Sequence, residues 1–180
     1  FRKKGIEVLL LNDRVDEWMV SHLTEFDGKA LASVAKGELD LGKLSDEDED
    51  KSAKEAETEF KDLVERVQEA LGEDVKEVRI SHRLTDSPSC LVLEEHEMAM
   101  HLQEVMKQAG HALPAIKPIL EVNPDHPLVA RLKEEQDKEK FTDWSHLLFE
   151  QALLSEGGHL EDPTVFVKRM NAILVELSNH

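Results

Sequence analysis

The sequence has little of several features that define other protein classes. It contains one cysteine in 180 residues, Cys90, so it forms neither an internal disulfide nor a zinc site built from several cysteines. A lone cysteine favours a reducing compartment, and we expect a cytoplasmic location. Its apolar runs fall well short of the roughly 20 residues that cross a bilayer. We therefore expect no membrane partner.

Basic residues are also scarce relative to acidic ones. The chain has 22 Lys and Arg against 39 Asp and Glu, a net charge of −17. Nucleic-acid binders concentrate Lys and Arg, and an acidic surface repels phosphates, so we expect no nucleic-acid partner. The eight glycines form neither of the phosphate-binding loops that glycine-rich motifs encode. Aromatics are only 4% of the chain, but its 40% apolar content allows a core of aliphatic side chains.

The charge is concentrated in one segment. Residues 38–74 contain fifteen acidic and five basic residues, a net of −10. Such a change in composition indicates a boundary, with a linker near residues 36–46. We therefore predict two units, a small α/β unit with its linker over residues 1–45 and a larger domain over residues 46–180.

Hydrophobic periodicity predicts the elements of both units. In the first, residues 6–11 form a buried strand, a helix begins at Asp13 and a short strand covers residues 30–34. In the second, we predict a long helix over 46–71, an antiparallel strand pair at 75–81 and 90–93, and a third strand at 118–122. The further predicted helices cover residues 94–109, 127–140, 143–155 and 162–178. This order indicates an α+β fold, a small mixed sheet packed with helices and ending in a helical pair.

Three patterns could carry metal or catalytic chemistry, and each is incomplete. Asp46, Asp48, Asp50 and Glu57 match the acidic positions of a calcium loop, but Lys51 replaces the glycine that the loop needs. His96 and His101 are five residues apart, too far round a helix to share one metal. No nucleophile motif surrounds Cys90. We expect neither a metal site nor catalytic residues, with a regulatory enzyme and an acidic calcium buffer as competing hypotheses.

One predicted helix carries an apolar stripe rich in methionine. Met98, Leu102, Val105 and Met106 fall on one side at about 100° per residue. Two interpretations remain open for this stripe. It either faces the core, with methionine filling gaps, or forms an adaptable binding surface.

The last two helices are apolar over more of their surface than a small domain covers. A second copy of the chain would cover them, giving a four-helix bundle across a two-fold axis. The alternative is that both helices cap their own core. The predicted dimer contacts are Trp144, Leu147, Leu148, Leu154, Phe166, Met170, Ile173, Leu174 and Leu177.

Several segments resemble one family over essentially the whole chain. They are EVLLLNDRVDEW at residues 7–18, LTEFDGK at 23–29, HRLTDSPSCLV at 82–92, EVNPDHPLV at 121–129 and LEDP at 160–163. In order and spacing they resemble the C-terminal third of the ATP-dependent chaperones of the 90-kDa heat-shock protein family, in its bacterial form. The resemblance implies that the chain is part of a longer protein, with residues 1–45 ending the family's middle domain and residues 46–180 forming its dimerisation domain.

The resemblance also implies a function. The chain would hold two protomers together and bind unfolded or partly folded client proteins, with other chaperones as further partners. Trp18 and the stripe at Met98, Leu102, Val105 and Met106 would contact clients. ATP and Mg²⁺ would bind elsewhere in the full-length protein, so we expect this chain to lack the ATP site, to hold no cofactor and to be no enzyme. The alternative is a standalone interaction or regulatory module without a chaperone role.

Overall fold

The structure is a computed structural model that describes residues 5–11, 13, 15–37, 55–94, 97–98, 103, 106, 110 and 116–178, apart from the side chains of residues 17, 21 and 177. It combines one three-stranded mixed sheet with helices and a separate two-stranded hairpin. The predicted α+β class is confirmed.

The first predicted strand is wrong. Residues 6–11 are not in a strand, and Leu9, Leu10 and Leu11 are exposed. A strand needs a neighbouring backbone to pair its N–H and C=O groups, and the described residues place none beside this segment. The apolar run alone predicted burial, whereas pairing decides whether a strand forms.

A short helix and a hairpin follow. Helix α1 covers Asp16–His22, and strands β1 (Glu25–Phe26) and β2 (Lys29–Ala30) pair antiparallel. Asp27 and Gly28 have φ of 49° and 72°, the left-handed conformation of a tight hairpin turn. The predicted strand over 30–34 is therefore mostly loop, because β2 ends where its partner β1 ends.

The main sheet contains β3 (Glu77–Ile80), β4 (Ser89–Val92) and β5 (Ile119–Val122), in the order β3-β5-β4. Strand β5 runs parallel to β3 and antiparallel to β4. The predicted antiparallel pairing of the first two strands is wrong, because β5 lies between them. All four residues of β5 are buried, which suits the centre of the sheet.

Four helices complete the described fold of the larger unit. Residues 55–59 are helical and lead into α2 (Lys61–Leu71), followed by a 3₁₀ turn over Gly72–Asp74. The others are α3 (Pro127–Glu134), α4 (Lys138–Ser155) and α5 (Pro163–Ser178). Residues 46–54 of the predicted long helix lie outside the described residues.

Two predicted helix boundaries change in the structure. The helix expected over 127–140 ends at Glu134, because Asp137 caps a new helix by accepting the N–H groups of Glu139 and Lys140 at 2.9 and 3.1 Å. In the helix expected over 94–109, Glu97 and Met98 are not helical, while Gln103 and Met106 are. Most of its other residues lie outside the described ones.

Helices α2 and α4 pack on one face of the sheet, and the core lies between them and the strands. Leu120, Leu132, Leu148, Val67 and Val129 are among its fully buried side chains. Of the described helices, none is long and apolar enough to cross a membrane.

Candidate functional site

Helix α1 and the residue before it present an apolar surface, which we call the Trp18 surface and define as Val15, Trp18 and Met19. Trp18 is 66% exposed. Its indole stacks on the imidazole of His22, with ring centroids 6.4 Å apart and 14° between the planes. The Nδ1 of His22 lies 2.9 Å from the Trp18 carbonyl oxygen. These contacts hold the indole against its own helix while leaving much of it open to solvent.

The predicted methionine stripe is only partly placed. Met98 and Met106 are half-buried, and Leu102 and Val105 lie outside the described residues. Gln103 is buried and donates from Nε2 to the Met98 carbonyl oxygen at 2.7 Å. Half-burial leaves both methionines with some exposed surface, and Met98, unlike Met106, is not helical.

The predicted dimer contacts divide by burial. Trp144, Leu147, Leu148 and Ile173 are buried within the core of the single chain. Their apolar character is therefore explained by the chain's own packing, as the alternative interpretation of these helices requires. Residues that pack this deeply in one copy have little surface left for a second.

Other predicted contacts remain on the surface. Leu154 and Leu174 are 44% and 54% exposed, and Phe166 and Met170 are half-buried against the core. The side chain of Leu177 is outside the described ones. Sequence reasoning missed the exposed Val167, which lies seven residues before Leu174 and so almost above it on α5. That heptad spacing was the signal that could have found it.

Charged pairs hold α5 on α4 and limit how it can move. Arg169 donates from Nε to Asp143 at 3.0 Å and from Nη1 to Glu150 at 2.7 Å. Lys140 donates to Glu176 at 2.6 Å. We define the α5 surface as Val167, Met170 and Leu174, and these pairs leave it unobstructed because they lie on the α4 side.

Cys90 is not a reactive thiol. Burial raises its pKa to about 12, and the negative charge of Glu121 adds to the effect. Its Sγ lies 3.9 Å from a Glu121 oxygen, so the thiol donates to a carboxylate rather than to a base that could activate it. This geometry disfavours the regulatory enzyme that Cys90 could have served. Among the residues that the structure describes, no group of three His, Cys, Asp or Glu could hold a metal ion.

The sequence of this chain matches a protein-family model over residues 1–179, and the description of that model is Hsp90 protein. The chain belongs to the Hsp90 family. The resemblance noted in the sequence is thereby confirmed at the level of the family.

Several curated relatives of this Hsp90-family chain are named chaperone protein HtpG. The protein of Nitrosococcus oceani is 62% identical over 99% of this chain and 28% of its own length. The proteins of Aromatoleum aromaticum and Pseudoalteromonas translucida are 60% and 57% identical over 98% and 99% of this chain, and 27% and 28% of their own lengths. The chain therefore spans little more than a quarter of the relatives that it matches.

Membership of the Hsp90 family corrects one expectation. The chain was expected to lack an ATP site and to be no enzyme, because it resembled a part of the family outside the ATPase domain. The match to the Hsp90 family extends over residues 1–179 of this chain, and it does not support that exclusion. The expectation that the chain lacks an ATP site and is no enzyme was therefore wrongly drawn from these residues.

Proposed function

We propose that this chain is the dimerising and client-binding portion of an Hsp90-family chaperone that assists the folding of unfolded or stressed proteins. Family membership supports the chaperone role. The longer protein would bind ATP with Mg²⁺ and act in the cytoplasm. Residues 1–45 would belong to one domain and residues 46–180 to the dimerisation domain.

The exposed indole of Trp18 is the observation that carries the client-binding proposal. A large aromatic side chain that is 66% exposed contributes little to its own fold, yet it offers much area to a partner. Val15 and Met19 extend the surface, and both are exposed. An unfolded protein presents the scattered apolar side chains that such a surface would bind, weakly enough for release. Met98 and Met106, with Leu102 and Val105, stay proposed as further client contacts.

Dimerisation would use the α5 surface together with Leu154. Exposed Val167 and Leu174 flank the half-buried Met170, and a two-fold axis would place this strip against its copy. Because Trp144, Leu147, Leu148 and Ile173 are already buried, they would support the interface from within the chain and not contact the partner. Two linked protomers would hold their remaining domains at high effective concentration.

Substituting Trp18→Arg tests client binding. We expect the affinity for a reduced, alkylated and therefore permanently unfolded protein to fall about tenfold, because a tryptophan anchor is lost from an apolar contact. The measurement is fluorescence anisotropy of the labelled client titrated with the chain.

The matched control is Thr24→Arg, which makes the same change of charge at an exposed position where only the backbone carbonyl forms a described bond. It should bind like the parent chain. Equal affinities for Trp18→Arg and the parent, at equal melting temperatures, would show that the Trp18 surface does not bind clients. A chain that binds no unfolded protein at all would instead favour the standalone module.

A further inference from the structure

A buried carboxylate lies in the middle of the sheet, on the face opposite the helices α2 and α4. Glu121 is on the central strand β5 and is 3% exposed. The strand register places Arg79 of β3 on one side of it and Cys90 of β4 on the other. A charge at this depth costs several kcal/mol unless it is paired and hydrogen-bonded.

Two arginines and a serine satisfy this carboxylate. Arg79 donates to Oε1 from Nε at 3.0 Å and from Nη2 at 2.8 Å. Arg83 donates to Oε1 from Nη2 at 3.0 Å, and its Nε lies 2.8 Å from Oε2. The Ser81 hydroxyl donates to Oε2 at 3.0 Å. The one negative charge therefore faces two guanidinium groups, each of which has donors to spare.

The spare donors bind the main chain of the segment over residues 34–37. Arg83 donates from Nη1 to the Val34 carbonyl at 2.7 Å and from Nη2 to the Gly37 carbonyl at 2.9 Å. Arg79 reaches the same Gly37 carbonyl at 3.4 Å. The rigid fork of a guanidinium suits this arrangement, because it can bind a carboxylate and carbonyls at once.

The same segment is also paired with the end of β4. The Gly37 N–H donates to the Leu93 carbonyl at 2.7 Å, and Lys36 forms a parallel bridge with Leu93. The Lys36 ammonium donates to the Glu97 carbonyl at 2.6 Å. Segment 34–37 thus meets the chain at the Lys36–Leu93 bridge just beyond β4, while its Val34 and Gly37 carbonyls accept hydrogen bonds from the arginine cluster.

We infer that Glu121, Arg79 and Arg83 form a joint that docks segment 34–37 on the sheet, with Arg83 as its positioning residue. If the segment left, guanidinium N–H groups would lose their acceptors beside a buried carboxylate, so the segment and the sheet are held in one arrangement. The arginines bind backbone carbonyls, so these contacts do not depend on the side chains of the segment. A side chain of the segment contributes the bond from Lys36 to the Glu97 carbonyl. The inference does not rest on the proposed function.

Substituting Arg83→Lys tests the joint with little change to the core. Lysine keeps a positive charge beside Glu121, but its compact ammonium lacks the wide planar fork that spans the carboxylate and two carbonyls. We expect amide hydrogen exchange at Gly37 to accelerate about tenfold, because the segment loses hydrogen bonds to a charged donor. Tryptic cleavage after Lys36 should accelerate in parallel.

The reporter for the sheet itself is the Ser81 amide, which donates to the Val122 carbonyl at 2.8 Å. Its exchange should change by less than about threefold in Arg83→Lys, since local opening leaves the sheet intact. The control Arg131→Lys changes an exposed arginine on α3 and should alter neither amide. Unchanged exchange at Gly37 would overturn the joint. Equal acceleration at Gly37 and Ser81 would also overturn it, because Arg83 would then only stabilise the whole fold.

Discussion

At the scale of single residues, the position of a side chain in the sheet decides its reactivity, which the residue type alone does not. Cys90 is on β4, where burial and then the negative charge of the directly opposite Glu121 raise its pKa and keep the thiol protonated. Iodoacetamide alkylation at pH 8 should therefore be more than about 100-fold slower than for a cysteine in an unfolded peptide, because only the thiolate reacts. The rate should keep rising by about tenfold per pH unit from pH 7 to pH 10, whereas the peptide levels off above its pKa.

The contribution of Cys90 to the pH dependence of the free energy of unfolding has a definite sign, because burial raises its pKa to about 12. Below the pKa of the unfolded thiol, both states are protonated and the group does not favour unfolding. As pH rises above that value, the unfolded chain ionises first and stability falls. Rapid alkylation of the native chain at pH 8, with a plateau near pH 9, would contradict this account.

At the scale of elements, α5 shows how a short motif fixes a helix start. Asp162 accepts the N–H groups of Thr164 and Val165 at 2.9 and 3.1 Å, and Pro163 follows at the first helical position. Asp162→Ala should lower the free energy of unfolding by about 1 kcal/mol, because two N–H groups lose their acceptor. This change in the free energy of unfolding is measured from the midpoint of urea unfolding, at one protein concentration and with an unchanged slope.

The matched variant Asp162→Asn keeps an acceptor oxygen and should cost only a few tenths of a kcal/mol. If both variants unfolded at the same midpoint as the parent, the cap would contribute nothing and α5 would be positioned by packing alone. The ion pairs of Arg169 with Asp143 and Glu150 would then be the main polar contacts that place it.

At the scale of the whole molecule, the proposed dimer is tested by changing one exposed residue of the α5 surface. Leu174→Glu should raise the dimer dissociation constant at least about 100-fold, because a two-fold axis would bury two unpaired carboxylates. Sedimentation equilibrium over a dilution series should show the parent at twice its 20.4 kDa chain mass and the variant at the chain mass.

Val165→Glu is the matched control, because it places the same charge on the opposite side of α5, nine residues or about 180° from Leu174. Val165 is 43% exposed, close to the 54% of Leu174. The control should remain a dimer. A parent chain that is monomeric at tens of micromolar would rule out the α5 surface as the dimer interface. Equal dissociation of the two variants would rule it out as well.

Patterns within one element were sufficient to predict that the described strands and helices of the larger unit exist, but not how the strands pair. Strand β5 and the start of α5 at Asp162 and Pro163 each follow from residues close in sequence. The apolar run at residues 6–11 misled because a strand needs a partner strand, and the described residues place none beside it. The α5 surface was found only in part, since periodicity marks apolar residues without saying which of them the chain's own core covers.

The sequence by itself determined the family, the α+β class, the absence of a disulfide framework and the concentration of acidic charge over residues 38–74. These follow from composition and from patterns between near neighbours. Only the tertiary structure decided that β5 separates β3 from β4, that Trp144 and Ile173 are core while Leu174 is surface, and that Glu121 holds segment 34–37 through two arginines. Each of these depends on residues that are distant along the chain, and burial and charge pairing act on neighbours in space.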